Sequence, residues 1–281
     1  MRVALGLSRT SVTRASREQV ARLAAATLVC AAAVPLFALR QWPLGYALLI
    51  AGLVLASLVD RALTRHLALV AAGLVVISTM SLKADLSNAG MLRFAIVLSA
   101  AVLLPAIVLR VLPGEEPIQF PWLTGRSWGR FEYAYLVLTV ALGYLLLPVY
   151  FLGSGVYRNW PAVTGTGEIA RLFVGVNAVG LWDELFFVCT VFTLLRRHFP
   201  MAQANLLQAV VFVSFLWELG YRSWGPVLTI PFVLLQGYIF KRTRSLAYVL
   251  AVHLSFDAII FMILVHAYNP GLFDVFVTAP R

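Results

Sequence analysis

Apolar residues run in long blocks along this chain, and charges and prolines collect between them. Blocks at about 21–39, 44–59, 67–82, 93–112, 132–152, 169–195, 204–221, 226–240 and 246–268 can be marked off in this way. Most hold about 16 to 25 residues, the length a helix needs to cross a hydrocarbon core of about 30 Å; 169–195 is slightly longer and 226–240 slightly shorter. The pattern predicts an all-α, polytopic transmembrane helix bundle of about nine spans. The count falls to eight if the short second, third or eighth block belongs to a re-entrant pair.

Charge orients the bundle. With the N-terminus cytoplasmic, only Arg40, Lys83, Arg93, Arg158, Arg171, Arg222 and Arg281 fall on the outer side, and the other 15 of the 22 Lys and Arg residues fall inside. This is the positive-inside bias expected of a cytoplasmic N-terminus. The chain then divides into a cytoplasmic basic tail (1–20), a four-span scaffold (21–112) with almost no ionisable residue at depth, and a cytoplasmic interfacial loop (113–131) rich in Pro, Trp and Phe. A helical core (132–268) and a C-terminal tail (269–281) follow.

Composition agrees: 61% of the 281 residues are hydrophobic, 12% are charged, and the mean hydropathy is +0.88. That excludes a soluble globular domain. The net charge of +10 does not imply nucleic acid, because the basic residues sit in short clusters between apolar blocks and form no continuous stripe. Cys30 and Cys189 both lie in apolar blocks, so neither a disulfide framework nor a cysteine zinc site is expected.

Against this background five residues need a reason. Asp183, Glu184, Glu218, His253 and Asp257 lie inside apolar blocks, where an ionisable group costs about 2.5 to 3.5 kcal/mol on insertion scales and function is the default hypothesis. At 1.5 Å per residue, Asp183 lies about 20 Å in from Arg196 and Glu218 about 21 Å from the start of its block. His253 and Asp257 lie about 14 and 20 Å from Arg244. Three helices are thus expected to bring one polar cluster to a common level. His253 and Asp257, four apart, share a face; Asp183 and Glu184 differ by about 100°, so that one faces the bundle centre while the other turns to a neighbouring helix. Carboxylates with one histidine also form a set that a divalent metal could use, with Asp183, Glu184, Glu218, His253 and Asp257 as ligands. No cofactor is otherwise implied, and no His-Glu-x-x-His helix occurs.

Other polar residues have plainer readings. Arg222, four residues past Glu218, is placed to pair with it. Glu115 and Glu116 precede Pro117 and read as a solvated loop. His66 and His198 read as loop residues beside arginines, and His266 as interfacial.

The stretch from about Phe173 to Phe261 resembles the intramembrane endopeptidase family that includes the type 2 CAAX prenyl proteases and the bacterial CPBP, or Abi, proteins. The family pattern is a Glu-Glu-x-x-x-Arg helix, a Phe-x-x-x-His helix, and a His-x-x-x-Asn/Asp helix preceded by a Gly, an aromatic and a Thr-x-Ser-Leu turn. The third part is intact in Gly237, Tyr238, Thr243, Ser245, Leu246, His253 and Asp257. The first departs: the leading Glu is Asp183, Glu184 is retained, and the arginine is Val188. In the second, the histidine falls on Glu218 and the phenylalanine on Ser214.

The resemblance implies hydrolysis of a peptide bond in or near the membrane. Asp183 or Glu184 would be the general base, Glu218 its partner or a proton carrier, and His253 a donor to the oxyanion or leaving amine, with Asp257 orienting His253. The implied partners are membrane lipid and a membrane-anchored or lipidated protein substrate. Short loops and size suit a prokaryotic inner membrane. The alternatives are a non-catalytic relative that binds or confers immunity, a metal-dependent protease, and a proton-coupled transporter.

Overall fold

A computed structural model describes residues 6–122, 124–125 and 127–279, with side chains from Arg17 onward. Arg2, Arg281 and the side chains of Arg9, Arg14 and Arg126, which entered the charge count, lie outside the described residues, as does the start of the basic tail. The described residues are helical and contain no strand.

The order is α1 (Gly6–Ala31), α2 (Trp42–Val59), α3 (Arg61–Ser78), α4 (Asn88–Val111), α5 (Arg130–Pro148), α6 (Thr166–Asp183), the single turn α7 (Thr193–Arg196), α8 (Met201–Leu219), α9 (Gly225–Thr243) and α10 (Leu246–Tyr268). Among the described residues, eight helices are long and apolar enough to cross a membrane, as an integral membrane protein requires. α9 is not one of the eight: its 19 residues end in Lys241 and Arg242 and include Gln236. It nevertheless joins the two ends of the bundle. Near its start, Tyr150 donates to the Arg222 carbonyl, and past its end the Leu246 amide donates to the Pro121 carbonyl.

Local chemistry explains where the helices begin. Asp60 accepts from the amides of Ala62 and Leu63 at 2.8 and 3.1 Å, so α3 starts at Arg61, one and a half turns earlier than apolarity predicts. N-capping outweighs the polar residues that follow it. His66 is therefore a buried helical residue and not a loop residue. Ser87 and Ser245 cap α4 and α10 in the same way.

Three π-helical stretches widen the spans: Val34–Ala38 after α1, Val149–Gly153 after α5, and Glu184–Phe192 between α6 and α7. The first two follow or contain Pro35 and Pro148, which lack an N–H to offer the ladder. The third sits inside one continuous rod, Thr166–Arg196, and carries the acidic pair's second member. Isolated π segments of this kind are frequent at functional sites.

Around that rod the core is aromatic. Phe187 stacks on Phe212 with centroids 4.1 Å apart, and Trp182 stacks on Phe186 at 5.1 Å. Outward faces are apolar, with Leu58, Val137 and Val227 about two-thirds or more exposed, as a lipid-facing surface should be. Cys30 and Cys189 are buried free thiols.

Candidate active site

α10 carries His253 and Asp257 one turn apart, and α6 with the π segment carries Asp183 and Glu184. The helices can meet because Gly180 faces Asp257: a Cβ at that glycine would overlap the Asp257 carboxylate. All four residues are buried, none more than 5% exposed.

The two acids clamp one imidazole. His253 Nδ1 lies 2.7 Å from Glu184 Oε1, and His253 Nε2 lies 3.7 Å from Asp183 Oδ2 and 4.0 Å from Asp257 Oδ1. As expected of residues about 100° apart, Asp183 faces inward while Glu184 also turns to a neighbouring helix, α9, yet both touch the same ring. The ring of His253 is wide enough to occupy the 100° interval, so both carboxylates reach it from either side. Phe212 and Phe232 pack against the same ring.

Glu218 stands elsewhere. It is the penultimate residue of α8, and its Oε1 accepts the Leu82 amide at 3.3 Å, tying the α3–α4 connection to that helix end. Counting depth from the start of an apolar block placed it level with His253. The helix ends at Leu219, so Glu218 lies at the far end of the bundle. Its hydrogen-bond partner is that backbone amide, and Arg222 acts on it only as a nearby charge.

Three side-chain oxygens of the cluster are buried without a partner: Asp183 Oδ1, Glu184 Oε2 and Asp257 Oδ2. Buried polar atoms are almost always bonded, so unpaired oxygens on three neighbouring carboxylates mark a place prepared for something else. An apolar groove of about 500 Å³ reaches this place. It runs between α4 and α6, along Leu98, Leu172, Val174 and Trp182, and ends on Asp183, His253 and Asp257. Trp182 fixes one wall by donating from Nε1 to the Leu98 carbonyl at 2.5 Å. Val174 and Leu103 on its rim are about half exposed, so the groove opens sideways toward lipid. Glu184 does not line it; this acid lies behind His253.

The ligand set expected for a divalent metal is not assembled. Glu218 is absent from the cluster, and among the described residues no group of three or more His, Cys, Asp and Glu is placed to hold an ion. The nearest His253–aspartate separations, 3.7 and 4.0 Å, leave the carboxylates spread around the ring without converging on one point.

One residue of the site escaped sequence reasoning. Gln236 on α9 is fully buried and donates to Glu184 Oε1 at 2.7 Å. Its signal was visible: an amide in the middle of an otherwise apolar block, directly before Gly237.

A second polar cluster was misread. Glu115 was expected in a solvated loop, and His66 and His198 in loops beside arginines. Instead, His66 Nε2 lies 2.9 Å from Glu115 Oε2 and His66 Nδ1 lies 2.6 Å from His198 Nε2. Arg65 pairs with Glu115 at 2.9 Å, Arg22 lies 3.4 Å from His198 Nδ1, and Arg22 also pairs with Asp60. The loop folds back because Arg197 on the α7–α8 turn donates to the Glu116 carbonyl at 2.7 Å.

Residues 165–259 match a family model described as type II CAAX prenyl endopeptidase, Rce1-like. The match covers 95 of 281 residues, from the start of α6 to α10, and includes every residue of the cluster. Neither a curated protein nor a solved structure matches the chain. The matched core is thus similar to the CAAX protease-like (CPBP) family over about a third of the chain.

Proposed function

With a CAAX protease-like core as the premise, we propose that this protein is an intramembrane endopeptidase that hydrolyses a peptide bond in a membrane-associated or lipidated protein. The observation that carries the proposal is the apolar groove ending on Asp183, His253 and Asp257, two of which present unpaired buried oxygens. A lipid-soluble substrate would lie along the apolar wall, and its scissile peptide link would meet the polar surface of Asp183, His253 and Asp257.

In the proposed step Asp183 takes a proton from a water molecule as the water oxygen attacks the scissile carbonyl carbon. His253, its Nδ1–H held from behind by Glu184 and its ring carrying a second proton on Nε2 between the acids, donates from Nε2 toward the oxygen that gains negative charge. The C–N bond then breaks, its electron pair goes to nitrogen, and the proton held by Asp183 passes to that leaving amine. Low local dielectric strengthens each of these interactions. Asp257, one turn from His253, limits where the ring can turn.

Specific observations favour a second reading, a non-catalytic relative that binds a membrane partner. The motif arginine is a fully buried Val188, and the motif histidine is a Glu218 committed to the Leu82 amide. One experiment separates the two readings. Protein termini are compared between membranes carrying the wild-type chain and membranes carrying Asp183→Asn with His253→Ala at matched expression. A peptidase generates ends that vanish in the variant and that name the substrate. Identical sets of termini, with the variant correctly inserted, establish the binding reading.

A further inference from the structure

The chain lacks two hydrogen-bond donors of the pattern it resembles: position 188 is a buried Val beside the cluster, and position 218, outside the cluster, is a Glu. One amide donor reaches the cluster from α9. Gln236 Nε2 lies 2.7 Å from Glu184 Oε1 and 3.0 Å from the Val249 carbonyl. Both neighbours are acceptors, a carboxylate oxygen and a carbonyl oxygen, so the amide nitrogen must be the end that faces them. Val249 is four residues before His253, and its carbonyl belongs to the helical turn from which His253 projects. Gln236 therefore grips the acid behind the imidazole and the backbone that carries the imidazole.

Chemistry fixes the next contact. Glu184 Oε1 already accepts from Gln236, and the same oxygen lies 2.7 Å from His253 Nδ1. A carboxylate oxygen between two nitrogens at that distance accepts from both, which puts a proton on Nδ1. The second ring nitrogen, Nε2, is then the one turned to Asp183, Asp257 and the groove. Which ring nitrogen meets a reaction is set by the bond the other makes.

We propose that Gln236 is a positioning residue: together with Glu184 it holds His253 with its Nδ1 proton inward and Nε2 facing the groove. The role is to aim a catalytic side chain without touching substrate, and its catalytic consequence rests on the peptidase reading above; the ring geometry does not.

The test uses the full chain in lipid nanodiscs, with ¹⁵N-labelled histidine, and His253→Gln to assign the signal. Wild-type protein should show a protected Nδ1 proton on His253. In Gln236→Met, an apolar change of similar volume, that proton should exchange freely and the ring should populate both orientations. Gln236→His, which keeps an N–H donor, should restore it in part. Hydrolysis of an internally quenched prenylated peptide should fall about 10- to 100-fold in kcat for Gln236→Met, in line with losses on removing outer-shell partners, while KM stays within about threefold. If Gln236→Met does not fold, Gln236→Glu, which sets a carboxylate against Glu184, must disturb the same signal. An unchanged Nδ1 proton in a folded variant overturns the proposal. A changed proton in a chain whose wild type cleaves no peptide leaves the positioning intact and removes the peptidase reading instead.

Discussion

Two histidine clusters sit in this molecule, and they differ in how completely they are satisfied. At the end of the bundle shared by α1, α3 and α7, His66 and His198 bond to each other, to Glu115 and to Arg22, so each of the four ring nitrogens has a neighbour within 3.4 Å. Arg65 and Arg197 approach the same carboxylate from two further sides. In the middle of the bundle His253 is surrounded by three carboxylates, three oxygens remain unpaired, and among the described residues no Lys or Arg contacts them. A closed network of neutral imidazoles and compensated charge stabilises a fold. An open one carries a cost in stability that the fold retains only if something else is bound or done there.

Substitution should therefore have opposite consequences in the two places. The largest effect is expected at the open cluster: His253→Ala or Asp183→Asn should lower turnover by about two to four orders of magnitude. The thermal midpoint in detergent should hold or rise for Asp183→Asn, which neutralises an unsatisfied buried carboxylate, and fall for His253→Ala, which orphans Glu184. A fully active His253→Ala protein would sink the assignment. At the closed cluster Glu115→Ala should leave the rate per folded molecule unchanged and cost about 1–3 kcal/mol of stability by orphaning His66 and Arg65, read as a lowered midpoint in the same melt.

The smallest effect is one of pH. Burial, the neighbouring His66 ring and the cations Arg22 and Arg197 push the His198 imidazole down to about 4, against the pull of Asp60. The unfolded chain takes up that proton near the ordinary value of about 6.5. The folded state binds fewer protons between those values, so stability should be full above about pH 6.5, fall as pH drops toward 4, and then level off. Melting curves between pH 7 and pH 4 should show the decline, and His198→Gln should flatten it. A wild-type midpoint that does not move over this range would show that the pair is not held neutral.

Much of the bundle was legible because lipid permits so few solutions. Each span announces itself by length and apolarity, and a buried acid stands out in such a background. His253, Asp257, Asp183 and Glu184 could be read for that reason. Glu218 could not be placed, because apolarity continues past the point where α8 stops, and helix termination is set by Gly220 at φ 141 and not by hydropathy. His66, Glu115 and His198 were missed because their partners are 49 and 132 positions away in sequence. Charge at a block boundary looks solvated until the fold brings another boundary against it. The π segment after Asp183 was equally silent, since no local residue pattern distinguishes it from the α-helix that periodicity predicts.

The sideways opening of the groove between α4 and α6 alters how its occupancy must be counted. A molecule entering there arrives by two-dimensional diffusion in the bilayer, so the governing quantity is its mole fraction among lipids and not its amount per volume of water. Adding inert lipid to a fixed quantity of protein and ligand would dilute the encounter as surely as adding buffer dilutes a soluble pair.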